Sequence, residues 1–425
     1  LAEGGAGVGY LELLRARHAA RLLAGTLIGR LPYATAALAI VLFTRAEGGS
    51  YALAGVLASL YGLATAVGQP LLGRLVDLYG QPRVMLPAAL ASAVSMGLLA
   101  LYGTEPAAPA AAAILLGGLT TPPLEGGLRA LWPSVLSRPD QVQRAYALDA
   151  VAQEVMFAAG PLLLMLLVSR WSEAAALLVV NAVGVLGALW VVASRPSRRW
   201  RSAPRTAHWL GALRSAGLLV LLGCFFFVGV ALGVISVAAV AYAEDRGDEL
   251  ISSWLLSALA AGALLGGLGY GARQWPGAPE PRLRLLVAAL AAGYLPLALA
   301  PEQVVLMTLL AGLSGVFLAP ALACAFVVID RHAPRGTVTE AFSWLVTTFG
   351  VGSAAGTGVV GPVLEAAGPP GGFAVAGAAG AVAAGVLAVA RRPLAVPPGV
   401  SLAVAASAPV SLPVAGPPEP PPPGK

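Results

Sequence analysis

Charged residues are scarce in this chain: Asp, Glu, Lys and Arg make up 11% of its 425 residues, against roughly 25% in an ordinary soluble domain. With 58% apolar residues and a mean hydropathy of +0.81, that shortage excludes a single water-soluble core and requires lipid as solvent. The cysteines are only two, Cys224 and Cys324, each inside an apolar run and far apart. Neither a disulfide framework nor a thiolate metal site is expected, and both read as core residues. The three histidines, His18, His208 and His332, lie between or beside apolar runs, and no phosphate loop or nucleophile and base arrangement appears. Catalytic residues, a metal, a cofactor and enzymatic activity are therefore not expected. Period-two alternation is missing as well, which excludes an outer-membrane barrel and leaves helices as the way to satisfy a spanning backbone.

What is present is a series of long apolar stretches. They fall at about 22–43, 51–72, 84–102, 108–131, 147–168, 174–193, 211–242, 251–271, 283–300, 303–329, 340–364 and 371–390. Twelve spans of roughly 20 residues fit the length of the chain, and the fold class is an all-α polytopic membrane protein. The opening segment lacks the short apolar core and small-residue cleavage site of a signal peptide, so the first span is expected to direct insertion. A pI near 9.6 does not point to nucleic acid, because the basic residues are spread between spans instead of gathered on a soluble face. All of the 26 basic residues except Arg30, Arg45, Arg170 and Arg246 fall in the N-terminus, the even-numbered loops with their flanks, and the tail. By the positive-inside rule, both termini are expected in the cytoplasm.

The sequence repeats itself at an offset of about 196. Gly118 and Pro123 are matched by Gly315 and Pro320, and Ala145, Tyr146 and Gly160 by Ala341, Phe342 and Gly356. This predicts two pseudo-symmetric six-helix bundles, at 1–194 and 211–392, related by an axis along the membrane normal with a cavity between them. Residues 195–210 are the expected cytoplasmic linker. Residues 393–425 hold 11 of the 34 prolines and are expected to form a disordered cytoplasmic tail.

Between the second and third spans the chain reads Gly73, Arg74, Leu75, Val76, Asp77, Leu78, Tyr79, Gly80, Gln81, Pro82, Arg83. This resembles the G-x-L-x-D-x-x-G-x-x-R signature of the major facilitator superfamily, in the loop and orientation where that family carries it. Gly160 and Pro161 in the fifth span resemble the centre of that family's antiporter motif, although Met156, Leu164 and Met165 replace its other glycines; a helix kink is expected there. The resemblance implies the major facilitator fold and a secondary transporter working by alternating access. Gly73 and Gly80 then allow a tight turn and close helix approach, and Asp77 is placed to face the N-terminus of the eleventh span near Thr339 and Glu340, as a latch of the inside-closed state. Arg74 and Arg83 complete the gating loop, with anchoring at lipid headgroups as the plainer alternative.

Ionisable groups inside spans are costly and mark a cavity, a partner or a pathway. Arg30 lies roughly 12 Å into the first span at the helical rise, and Glu154 enters the fifth span to about the same depth, so the two are expected to pair. Glu125 stands one turn before Arg129, a spacing that also fits an ordinary i,i+4 pair, and Asp149 occupies the first turn of its span. These four, Arg30, Glu125, Asp149 and Glu154, are the candidates for proton coupling or substrate binding. The candidate cavity residues are Tyr33, Gln69, Thr121, Gln153, Phe226, Phe317, Trp344 and Thr348, with core packing as the alternative for each. So apolar and aromatic a set implies amphipathic or hydrophobic solutes. The expected function is proton-coupled efflux of such compounds from a monomer in a bacterial-type plasma membrane. Uptake or facilitated diffusion of a sugar or organic acid on the same fold is the alternative. The expected partners are the solute, protons and the bilayer, without nucleic acid.

Overall fold

The computed structural model of the chain describes residues 5–204, 208–390 and 393–394; the proline-rich tail and Arg205 of the linker lie outside the described residues. A short helix, α1 (Gly5–Arg15), leads into α2 (Ala19–Ala46), α3 (Tyr51–Tyr79) and α4 (Gln81–Tyr102). The fourth span is two helices in line, α5 (Ala107–Leu119) and α6 (Leu124–Val135), followed by α7 (Pro139–Arg170) and α8 (Glu173–Val192). The linker holds α9 (Arg195–Arg199). Then come α10 (Ala216–Glu244), α11 (Leu250–Ala272), α12 (Pro279–Tyr294), α13 (Val304–Gly315), α14 (Leu318–His332), α15 (Val338–Val359) and α16 (Gly361–Val389). Among the described residues there is no strand.

Local chemistry sets several of the ends. Ser50, Ser172 and Ser215 accept hydrogen bonds from the backbone N–H groups of Leu53, Ala175 and Leu218, capping α3, α8 and α10. The seventh span begins at Ala216 and not near 211, because residues 211–214 form a 3₁₀ turn ahead of that serine cap. The expected loop at 73–83 shrinks to a single residue: Gly80, at φ 87, ends α3 and starts α4, a backbone conformation open to glycine at no steric cost. The eleventh span ends at Val359, earlier than expected, and α16 starts at once and bends at Gly368 (φ 62) before Pro369 and Pro370. The breaks that split the fourth span at 120–123 and the tenth at 316–317 lie beside Gly118 and Pro123 in one half and Gly315 and Pro320 in the other. The repeated letters therefore encode a repeated interruption.

Among the described residues, eleven segments are long and apolar enough to cross a membrane. The remaining span, the eleventh in chain order, is α15, which is less apolar because it carries Thr339, Glu340, Ser343, Thr347 and Thr348. It packs against α10 on one side and against α3 and α6 of the other half on the opposite side, so protein takes the place of lipid around it. Elsewhere the outer surface is a belt of large apolar side chains, such as Leu162 at 72% exposure, whose solvent is the acyl chains. The fold is the twelve-helix arrangement of two pseudo-symmetric six-helix bundles. The interface between them uses the same pairs twice: α7 meets α11 and α14, and in the repeat-related position α15 meets α3 and α6.

Candidate functional site

Four charges are buried together in the first half. On the Arg30 guanidinium, Nη2 lies 2.9 Å from Glu125 Oε2 and Nη1 lies 3.8 Å from Asp149 Oδ1. Arg129 sits between the same two acids, with Nη2 2.5 Å from Glu125 Oε1 and Nε 2.7 Å from Asp149 Oδ2. Arg129 Nη2 also donates to Gln153 Oε1 at 3.1 Å. Arg129 is 1% exposed and Asp149 0%. Two cations and two anions cancel formally, the condition under which such groups persist away from water. Glu125 stands in the first turn of α6, where the helix N-terminus supplements the guanidiniums. The far side of Arg129 is covered by the second half, its guanidinium carbon 3.6 Å from the centroid of the Phe326 ring, a cation–π contact.

Arg30 and Glu125 form one wall of a small cavity that also touches Tyr33, Tyr61, Gln69 and Thr121. The hydroxyls of Tyr61 and Thr121 share a hydrogen bond of 3.0 Å, and Gln69 Nε2 donates to the Thr121 carbonyl at 3.5 Å. The space open to a water's centre is ≈ 30 Å³, enough for about one or two waters and too little for an organic solute in this conformation. Nε and Nη1 of Arg30 and Oδ1 of Asp149 have no hydrogen-bond partner.

Several expectations change against this geometry. Arg30 does not pair with Glu154: it meets Glu125 and Asp149, and among the described residues Glu154 has no ion-pair partner. Equal depth was the wrong criterion, because azimuth decides. Asp149 and Gln153 are four residues apart and share a face of α7, whereas Glu154 is turned about 100° further round, within electrostatic range of Tyr294 on α12. Arg129, counted by sequence with the basic loops, is inside a span at the centre of the cluster; its i,i+4 spacing from Glu125 was the available signal. Of the cavity candidates, Tyr33, Gln69 and Thr121 line the cavity and Gln153 joins the charges. Phe226, Phe317, Trp344 and Thr348 are partly buried in the second half and do not line it. This cavity lies inside the first half and not between the two. Gly160 is buried facing Thr35, and α7 runs unbroken through Pro161.

On the arginine-rich face the Asp77 carboxylate accepts hydrogen bonds from the backbone N–H groups of Thr339 (3.1 Å) and Glu340 (2.9 Å), the contact anticipated from sequence. Gly73 makes it possible: a Cβ there would lie 2.6 Å from Ser343 Oγ and 3.1 Å from Glu340 Cα. Arg74 donates to the carbonyls of Trp209 (2.7 Å) and His208 (3.2 Å) in the linker, while Arg83 is exposed. Across the interface, Thr347 donates to the Ala66 carbonyl at 3.2 Å. The two halves are thus closed on this face.

Residues 22–357 match the model of the Major Facilitator Superfamily, and the chain belongs to that family. It is accordingly a multi-pass membrane transporter and not an enzyme. No curated protein sequence matches it. Solved structures similar to it include the human organic anion transporter MFSD10 (TETRAN), with TM-score 0.61, 18% identity and coverage of 90% of this chain and 98% of the other. A bacterial homologue of the iron transporter ferroportin in the outward-facing state matches with TM-score 0.68 and 15% identity over 87% of this chain and 98% of the other. The E. coli fucose:proton symporter FucP matches with TM-score 0.65 and 13% identity over 87% and 97%. At these identities the likeness is one of fold.

Proposed function

We propose that this transporter exports small amphipathic or hydrophobic organic compounds in exchange for protons. In this reading the bodies at 1–194 and 211–392 rock about a site between them, joined by the linker at 195–210. The observation that carries it is Glu154, a carboxylate without a counter-ion among the described residues, on a membrane-spanning helix that faces the second half, beside a cluster whose own charges already cancel. A group in that setting exchanges its proton as water reaches or leaves it, while Arg30, Glu125, Arg129 and Asp149 form the charged wall that such water would meet. Asp77 is the latch: its bonds to α15 exist only while the arginine-rich face is closed. Coupling follows when proton and solute prefer opposite orientations of the two halves. The apolar and aromatic character of Phe226, Phe317 and Trp344 in the second half supports a hydrophobic solute. The gathering of arginines on one face supports a bacterial-type plasma membrane with both termini in the cytoplasm; the protein works as a monomer.

The test is proton movement in liposomes containing the purified protein, followed by an enclosed pH dye as cationic amphipathic dyes are added. Wild type is expected to move protons and Glu154→Gln to move none. Normal proton-coupled transport by the Gln variant would exclude Glu154 as the carrier.

One observation favours a second reading, uptake of a sugar or organic acid. Two nitrogens of Arg30 lack hydrogen-bond partners among the described residues, beside a cavity that carries the hydroxyls and amides of Tyr33, Tyr61, Ser92, Thr121, Gln69 and Asn181 together with the Glu125 carboxylate and apolar residues such as Pro32, Leu124 and Val185; those polar groups suit a polar or anionic solute. Among proteins of similar fold, one is named as an organic anion transporter and another as a fucose:proton symporter. Counterflow of labelled sugars and organic acids against cationic dyes separates the two readings.

A further inference from the structure

A second cavity opens on the arginine-rich face, where the chain passes from α1 into α2, where α6 ends and where α9 crosses. Among the described residues its lining includes Arg17, His18, Ser134, Arg195, Arg199 and Trp200, without a carboxylate. The space reachable by a water's centre is ≈ 400 Å³, in the range of small-ligand sites. Several arginines on this face are tied down. Arg21 donates to the Trp190 carbonyl, Arg74 to Trp209 and His208, Arg201 to Trp200, and Arg138 and Arg331 pair with Asp140 and Glu280. Arg17, Arg195 and Arg199 have no hydrogen-bond or ion-pair partner among the described residues, and unlike Arg15, Arg83, Arg198, Arg284 and Arg335, which share that freedom, all three border the same cavity. Mutual repulsion would spread three free guanidiniums apart on an open surface.

Two parts of the cavity wall are set by the fold. Trp200 Nε1 donates to the Ala130 carbonyl at 3.2 Å, setting the indole as one side. His18 takes a left-handed backbone, φ 74, rarely populated outside glycine, at the junction of α1 and α2. Its imidazole is held below the usual range by burial and then by the charges of Arg17, Arg21 and Arg195. The depth is informative too. Because α2 starts at Ala19 and α6 ends at Val135, the cavity lies at the level where spans leave the hydrocarbon, the headgroup layer.

We propose that this cavity binds a phosphate-bearing anion, supplied either as the headgroup of a membrane lipid or as a free phosphate compound. Guanidiniums bind phosphate oxygens in pairs, so three of them around one cavity match a doubly charged phosphate monoester better than a diester or a carboxylate.

The test uses the full-length protein in neutral detergent. Binding of phosphatidic acid, phosphatidylglycerol and phosphatidylcholine is measured by native mass spectrometry, with and without millimolar inorganic phosphate. Phosphatidic acid is expected to bind most tightly. Each of Arg17→Gln, Arg195→Gln and Arg199→Gln is expected to weaken it about fivefold, and the triple variant about 100-fold. A control with equal loss of charge on the same face, Arg198→Gln with Arg284→Gln and Arg335→Gln, is expected to stay within about threefold of wild type. Displacement by inorganic phosphate assigns the site to a free phosphate compound; binding that resists it assigns the site to lipid. Equal affinity of wild type for phosphatidic acid and phosphatidylcholine overturns the proposal. So does an equal loss in the two triple variants, which would reduce the effect to general surface charge.

Discussion

Replacing Asp77 with Asn is expected to loosen the closed arginine-rich face by an amount that can be worked from two hydrogen bonds. The carboxylate takes the N–H groups of Thr339 and Glu340 at 3.1 and 2.9 Å, in the first turn of α15, where helix geometry leaves such donors without intrahelical partners. A hydrogen bond to a charged acceptor contributes about 1.5–3 kcal/mol, and a negative charge at a helix N-terminus about 0.3–1 kcal/mol more. Asn keeps one acceptor oxygen but loses the other and the charge, a net loss of about 2 kcal/mol, or about 30-fold in the ratio of closed to open. Ser343 reports the change, since it is buried against Gly73 only while the halves touch. In a C224A/C324A background carrying S343C, maleimide labelling from the arginine-rich face is expected to quicken by about 10-fold or more in D77N, with the melting temperature little changed. Labelling within twofold of the parent, in a variant that remains folded, would mean that Asp77 does not hold the face shut.

Three further outcomes follow from the packing. Glu125→Gln leaves Arg30 and Arg129 facing Asp149 alone, a buried charge without compensation, and is expected to cost about 3–5 kcal/mol; an unchanged melting temperature would mean that water already solvates the cluster. Glu154→Gln breaks no ion pair, so its melting temperature is expected to match wild type while proton movement is lost; a large fall in stability would make Glu154 structural. Gly352→Ala would set a Cβ 2.1 Å from the Phe226 carbonyl oxygen and force α15 from α10, at an expected loss above about 2 kcal/mol, whereas Gly350→Ala meets nothing within 4 Å and should be neutral within about 0.5 kcal/mol. Thermal unfolding of the two glycine variants in detergent checks both.

The span pattern was legible because lipid demands long apolar runs, and twelve of them leave few alternatives. The Asp77 contact was legible for another reason: a family motif named the residue, and helix electrostatics named its partner. What sequence could not supply was rotation about a helix axis. Depth along a helix follows from counting, but Glu154 and Gln153 differ by one residue and face different neighbours, and only packing against α2 and α6 shows that Asp149 and Gln153 point at the arginines. The split of the fourth span was hidden for a related cause. By average hydropathy residues 107–135 count as one span, while the adjacent Pro122 and Pro123 interrupt its backbone, and that break is what brings Glu125 to the start of a helix.

The symmetry of the fold and the asymmetry of its chemistry belong together. Adding 196 to Arg30, Asp149 and Gln153 gives Phe226, Leu345 and Phe349, and adding the 197 that separates Gly118 from Gly315 to Glu125 and Arg129 gives Leu322 and Phe326, so every charge and amide of the cluster has an apolar counterpart. The closing contacts are as one-sided. The counterpart of Asp77 is Arg273, and where α7 meets α11 the polar contacts are Gln274 to Asp140 at 3.4 Å and Tyr10 of α1 to the Leu268 carbonyl at 3.0 Å. Two copies of one helix arrangement have thus kept the shared interface, which rocking requires, while dividing the remaining work. The first half holds the four-charge cluster, and the second covers part of it with a surface of apolar rings, as Phe326 covers Arg129. Motion of that surface would admit water to the cluster without moving the charges relative to one another, so opening would not first have to break the four buried ion contacts within the first half.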